Sequence, residues 1–245
     1  MGINIDAKKA IELSGYNGQF KESLKDIIKW ASKDPNITSI DQLAYILATA
    51  KIESGYSLQR WESDYLCGKQ GQPYFIKPCQ SALNYYRSTD GKKDYYQLGV
   101  DPKGLPYFGR GLIQLTGKGN YAAYAKRLNI DLVNNPDLAL KPKNSYRIAV
   151  SYMHHRGTFD KISQGDLYGA RRTIGSGGKT NEVTQAYHQW VSILKQSEKK
   201  KLFSISKPSK PRTPEQKQAI ITGTSIISAV LVVGVAVLIV RKLVK

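Results

Sequence analysis

The sequence predicts a mainly α-helical globular domain over residues 1–196, followed by a basic tether and one membrane-spanning helix. Three observations carry that expectation. Apolar residues recur at helical spacing in several segments. A Gly-, Pro- and Tyr-rich stretch lacks any such period. The C-terminal region holds a long run without one charge.

The clearest helix contains Leu43, Ile46, Leu47 and Ala50 at i, i+3, i+4 and i+7, a single apolar face. Asp41 is expected to cap its start and Gly55 to stop it. Similar periodicity predicts helices at 19–32, 121–129, 144–155 and 183–195. Residues 67–108 lack it and are expected to be loop, with short strand pieces at most. No internal repeat is present.

Residues 197–218 carry Lys199-Lys200-Lys201, Lys207, Lys210, Arg212 and Lys217, with Pro208, Pro211 and Pro214 every third residue. That pattern favours an extended, solvated tether over helix. Residues 219–240 are 22 uncharged residues, closed by the basic tail 241–245. As a helix they span about 33 Å, enough for a bilayer core of about 30 Å. A single-pass protein with a C-terminal anchor in membrane lipid is therefore expected. Basic residues flank the span on both sides, so charge gives no orientation.

The net charge of +18, from 37 basic and 19 acidic residues, implies an anionic partner. A phosphate-bearing envelope, anionic lipid and nucleic acid all qualify, and nothing points to a specific nucleic acid. Sixteen Tyr against five Phe suits a sugar cleft as well as an amphipathic surface. Cys67 and Cys79, with eleven residues between them, do not support a metal site, and no metal or cofactor is expected. The opening Met1-Gly2-Ile3-Asn4-Ile5-Asp6 has no basic and apolar leader pattern, so cytoplasmic synthesis with free thiols is expected.

The predicted helix ends in Lys51-Ile52-Glu53-Ser54-Gly55-Tyr56. Glu53 follows the apolar stripe and precedes the stop, at a rim where core meets cleft. Apolar enclosure there would let the carboxyl hold a proton near neutral pH, as a general acid must. Nine positions on, Trp61-Glu62-Ser63-Asp64 offers a second carboxylate, which fits the two-carboxylate logic of glycoside hydrolysis. Asp64 competes locally with Glu62 for that role. Residues 107–121 then place Gly109 and Gly111 around Arg110, with polar tips at Gln114, Thr116, Asn120 and Tyr121. Taken alone, this stretch reads as strand and turn.

The block 109–121, Gly-Arg-Gly-Leu-Ile-Gln-Leu-Thr-Gly-Lys-Gly-Asn-Tyr, closely resembles the signature of family 19 glycoside hydrolases, the plant-type chitinases and many phage endolysins. Residues 47–56 resemble that family's acid-bearing helix end, Asn135-Pro136-Asp137-Leu138 its Asn-Pro-Asp-Leu, and Arg171-Arg172-Thr173-Ile174 the segment before its Asn-Gly-Gly. The likeness covers roughly residues 20–195. It implies a lysozyme-like domain of the family 19 type and an inverting mechanism. Glu53 would be the acid and Glu62 the base, with Thr116 holding the water. Arg110, Gln114, Asn120 and Tyr121 would form the sugar-binding set, with Arg110 neutralising or orienting a carboxylate there. One departure stands out: Gly175-Ser176-Gly177-Gly178 replaces Asn-Gly-Gly, removing a sugar-binding asparagine. Tyr56 also replaces the second glycine after the acid and is expected to narrow the cleft.

Rival chemistries are poorly supported. His154, His155 and His188 are the only histidines and form no zinc-peptidase motif. Nothing local pairs Cys67 with a histidine, and residues 175–178 are too short for a phosphate loop. The expected function is a membrane-anchored lytic enzyme cleaving peptidoglycan or a related N-acetylglucosamine-containing polysaccharide. A viral internal membrane or a host inner membrane is the expected setting, in penetration or release. The alternatives are a chitinase, or a non-catalytic wall-binding protein retaining the fold.

Overall fold

The computed structural model describes residues 2–61, 99–103, 107–175 and 177–199. Glu62, Asp64, Cys67, Cys79 and Ser176 lie outside them, as do residues 200–218 of the tether, the span 219–240 and the tail. Among the described residues no helix is long and apolar enough to cross a membrane.

The centre of the domain is α3 (Ile40–Ser54), buried at every position from Leu43 to Ala50. A helix that is apolar all round needs neighbours on all sides. It packs most extensively on α8 (Thr180–Gln196), whose Val183, Ala186, Tyr187, Trp190, Ile193 and Leu194 form one buried stripe. Around this pair lie α1 (Ala7–Ser14), α2 (Lys21–Ala31), α4 (Lys118–Leu128), α5 (Pro142–His155), α6 (Thr158–Ser163) and α7 (Leu167–Ile174). A 3₁₀ turn, Pro136–Leu140, precedes α5. The expected helices are thus present, and α1, α6 and α7 are additional. Full burial of an aliphatic side chain such as Leu43, Ile46 or Leu47 stabilises the fold by about 1.5–3 kcal/mol.

The start of α3 differs from expectation. Ser39, not Asp41, is the cap: its hydroxyl accepts from Gln42 N at 3.2 Å, while Gln42 Oε1 accepts from Thr38 N at 2.7 Å. Asp41 sits in the first turn and takes a hydrogen bond from Tyr187 Oη on α8 at 2.7 Å. The helix stops at Gly55, as expected, in left-handed backbone with φ 59°.

The domain also ends later than the tether pattern predicts. Ile5 and Glu198 form an antiparallel bridge. Asp6 N donates to Ser197 O at 2.9 Å and Lys199 N to Asn4 O at 2.8 Å. Ser197, with 1% exposure, is part of the interior. Residues 197–199 therefore close the domain against its N-terminal segment, and the compact unit runs to Lys199.

Candidate active site

Glu53 occupies the last turn of α3, with a side chain 24% exposed. Apolar enclosure is not its whole environment. Arg171 Nη1 lies 2.7 Å from Glu53 Oε1, with the Arg171 side chain 8% exposed. The contact is an ion pair off the N–H axis, since Nη1 makes no aligned hydrogen bond. Arg171 Nε is fixed by donating to Gly178 O at 2.8 Å. The glycine-rich segment that departs from the family pattern therefore sets the position of the cation facing Glu53. The sequence offered a weak signal for Arg171, two arginines just before a glycine run.

Tyr45 and Thr49 stand two turns and one turn before Glu53 on α3 and are fully buried, and neither hydroxyl has a hydrogen-bond partner among the described residues. Burial pushes the Tyr45 pKa well above the usual phenol range; the Arg171 charge opposes that rise and Glu53 adds to it. Tyr45 is thus neutral and close enough to feel both members of the ion pair.

Tyr56 does not narrow a cleft. It follows Gly55 with φ 71°, a left-handed conformation that costs a bulky residue of order 1–3 kcal/mol. Its ring turns inward, 5% exposed, edge-on to Tyr16 at 5.1 Å and to Trp190 at 6.2 Å. Trp190 Nε1 donates to Tyr56 Oη at 3.1 Å. Burial raises the Tyr56 pKa to about 12, with the Trp190 hydrogen bond working the other way. The aromatic cluster stabilises a backbone turn that glycine would adopt freely.

The Gly-Arg-Gly block is stitched to the chain just beyond Glu53. Gly111 N donates to Arg60 O at 2.8 Å, and Gln114 Nε2 reaches the same oxygen at 3.2 Å. Arg110 bridges both Trp61 and Leu115 in antiparallel fashion. Between them the chain turns tightly, with φ 77° at Gly111 and 55° at Gln114. Gly111 is required by space as well: an added Cβ would lie 2.7 Å from Ser145 Oγ and 3.0 Å from Ala139 O. Leu112 N donates to that same Ser145 hydroxyl at 2.8 Å.

Arg110 and Tyr121 are corrected from sugar-binding to interior residues. Arg110 is 1% exposed and Tyr121 fully buried. The guanidinium carbon lies 4.3 Å from the Phe108 ring centroid and 4.6 Å from that of Trp61. Its Nε pairs with Asp137 Oδ1 at 3.1 Å, and Nη1 donates to Tyr121 Oη at 3.1 Å. Tyr121 Oη donates in turn to Phe108 O at 3.0 Å. The carboxylate that Arg110 orients is thus Asp137 of the Asn-Pro-Asp-Leu segment, and water and sugar reach neither residue.

Gln114, Thr116 and Asn120 form a connected polar line. Gln114 Nε2 also donates to Gly111 O at 2.8 Å, Thr116 Oγ1 to Gln114 O at 2.7 Å, and Asn120 Nδ2 to Thr116 O at 2.8 Å. Gln114 and Thr116 are half-buried and Asn120 is exposed. The Gln114 and Asn120 amides and the Thr116 hydroxyl donate to backbone carbonyls here, and among the described residues the Gln114 and Asn120 side-chain oxygens show no donor. Among the described residues no group of His, Cys, Asp or Glu could hold a metal ion.

No family model matches the chain. Short segments are similar to plant chitinases: 57 residues are 47% identical to chitinase 8 of Oryza sativa subsp. japonica, over 20% of this chain and 22% of that one. A 35-residue segment is 60% identical to an acidic endochitinase of Petunia hybrida, over 14% of each chain. The matches therefore span about a fifth or less of those relatives' length. The fold is similar over far more. Chitinase C from Streptomyces griseus superposes with TM-score 0.52 and 19% identity, over 79% of this chain and 94% of that one. A bacterial family 19 chitinase gives TM-score 0.51 and 20% identity, over 78% and 94%. The architecture is that of the mainly helical, lysozyme-like family 19 chitinases.

Tyr56→Phe leaves the Trp190 N–H without its acceptor and is expected to destabilise the domain by about 1–3 kcal/mol in a denaturant melt. Tyr56→Gly relieves the backbone but removes the ring, for a net loss of about 2–4 kcal/mol. A Tyr56→Gly protein as stable as the parent would place that ring outside the core.

Proposed function

We propose that this domain hydrolyses an N-acetylglucosamine-containing polysaccharide by the inverting two-carboxylate route, with Glu53 as general acid and Glu62 as general base. The observation that carries the proposal is the placement of Glu53. It is a partly exposed carboxylate in the last turn of a helix buried from Leu43 to Ala50, facing a fixed arginine. A turn bearing Gln114, leading through Thr116 to Asn120 in the first turn of α4, is anchored to Arg60, seven residues beyond Glu53. The fold likeness to family 19 chitinases and the local identity with plant chitinases support the same chemistry.

In this mechanism Glu53 gives its proton to the glycosidic oxygen as the bond to the anomeric carbon breaks. Glu62 takes a proton from water attacking the opposite face, and Thr116 orients that water. Arg171 faces Glu53 Oε1, so the proton given to the leaving oxygen is carried on Oε2 while Arg171 stays in place. Gln114 and Asn120 accept hydrogen bonds from sugar hydroxyls through their free carbonyl oxygens.

Peptidoglycan is the first substrate expected. Chitin is the second reading, favoured by the 47% identity with a plant chitinase over 57 residues. The uncharged run 219–240 supports a membrane-anchored enzyme, and a role in viral penetration or release completes the proposal.

Glu53→Gln keeps the shape and removes the proton, so clearing of peptidoglycan and chitin gels should fall by about 10²–10⁴-fold. Retention of more than about a tenth of the parent rate would show that Glu53 is not the acid. The anchor is tested separately. The full chain should resist extraction by high salt and yield to detergent, whereas a chain ending at Lys199 should be soluble and active. Release of the full chain by salt alone would refute a membrane span.

A further inference from the structure

Away from Glu53 lies a cleft of about 750 Å³ between the C-terminal end of α2, the α2–α3 loop, the end of α4 and the length of α5. It shares no residue with the proposed catalytic set. Lys33, Arg127, Lys143 and Arg147 line it, and Asp34 is its one carboxylate. That carboxylate is already engaged: Oδ1 accepts from Asn36 N at 3.0 Å and Oδ2 from Tyr146 Oη at 3.0 Å.

None of the four forms an ion pair with a carboxylate among the described residues. Arg147 Nη2 donates to Leu128 O at 3.1 Å, and Arg127 Nη2 lies 2.9 Å from His155 Nε2. Lys143 Nζ sits over the Trp30 ring at 4.6 Å and the Tyr146 ring at 5.3 Å. Cations gathered in a concave site focus a positive potential that attracts a complementary anion. The volume exceeds that of a single small anion and falls within the range of organic ligand sites.

We infer that this cleft is a second binding site, for the phosphodiester groups of an anionic envelope glycan. The concave shape does not match the flat surface of a bilayer, and no exposed large apolar side chain lines the cleft to insert into lipid. The aromatic wall is covered by the Lys143 ammonium, so it offers no open face for the base stacking that single-stranded nucleic acid uses. Phosphates spaced along a polyol or sugar chain meet the cations of the α2–α3 loop, α4 and α5 without needing such a face. The site would hold the domain on a phosphate-bearing wall while uncharged glycan occupies the Glu53 cleft.

The test uses the full chain in neutral detergent at fixed salt, with a short polyglycerol phosphate as probe and calorimetry as readout. Lys33→Gln with Lys143→Gln should weaken binding by about tenfold or more and flatten its salt dependence. The exposed pair Lys9→Gln with Lys21→Gln, on α1 and α2, should leave it within about twofold. Lys33→Arg with Lys143→Arg should retain binding, which separates charge from folding. Hydrolysis of a neutral N-acetylglucosamine oligosaccharide, where present, should not change in any of these variants. Equal losses from both glutamine pairs would reduce the effect to overall charge and overturn the site. A single-stranded DNA oligonucleotide bound more tightly than polyglycerol phosphate, through the same lysines, would overturn the ligand.

Discussion

A guanidinium with no access to water must find its compensation inside the protein, and at Arg110 that requirement organises the region around the cleft. A buried charge is stable only if paired and hydrogen-bonded. Arg110 draws in Asp137 from the 3₁₀ turn, Tyr121 from α4, and the rings of Phe108 and Trp61. Four separate stretches of chain thereby become one unit. The tight turn at 111–114 follows from it, because Arg110 pairs backbone to backbone with Leu115 on one side and Trp61 on the other. Gln114 lies in that turn, and hydrogen bonds carry its register on to Thr116 and to Asn120 at the start of α4.

The acid-bearing end of α3 rests on a second set of interactions. Gly55 stops the helix, and Tyr56 is itself held in left-handed backbone by its packing on Tyr16 and Trp190. Chain direction after Glu53 is therefore dictated by the core. Arg171 then faces Glu53 from α7, and Gly178 fixes Arg171. The 175–178 segment lacks the family's asparagine yet retains a structural task through a backbone carbonyl. Such a contact depends on loop shape, not on side-chain identity, so replacement of the asparagine does not remove it.

Much of this was legible in the sequence where period and motif are strong. The stripe Leu43, Ile46, Leu47, Ala50 located α3, and Gly55 located its end. The helices missed, α1, α6 and α7, have eight, six and eight residues, too few turns to show a period. Asp41 and Ser39 are both good caps by type. What separates them is Tyr187, which takes the Asp41 carboxylate from far along the chain. Arg110 and Tyr121 read as sugar ligands because a polar residue in a motif suggests a surface, and only packing reveals the aromatic enclosure. Tyr56 misled for the same reason. The domain end was misplaced because Ser197-Glu198-Lys199 has the composition of the tether, while its pairing with Asn4, Ile5 and Asp6 is a long-range fact.

Two positively charged features thus serve different ends: Arg110 and Arg171 organise the interior and the acid, while the cleft beside α5 presents its charge outward. The central claim is that Glu53 works with a second carboxylate across a space wide enough for water, which commits the reaction to inversion. Proton NMR of the products in the first minutes of digestion of a β-linked N-acetylglucosamine oligomer tests this directly. The account predicts that the newly formed reducing end appears first as the α-anomer and only later equilibrates. Initial release of the β-anomer would contradict it, as would a chain ending at Lys199 that is folded and cleaves neither the oligomer nor peptidoglycan.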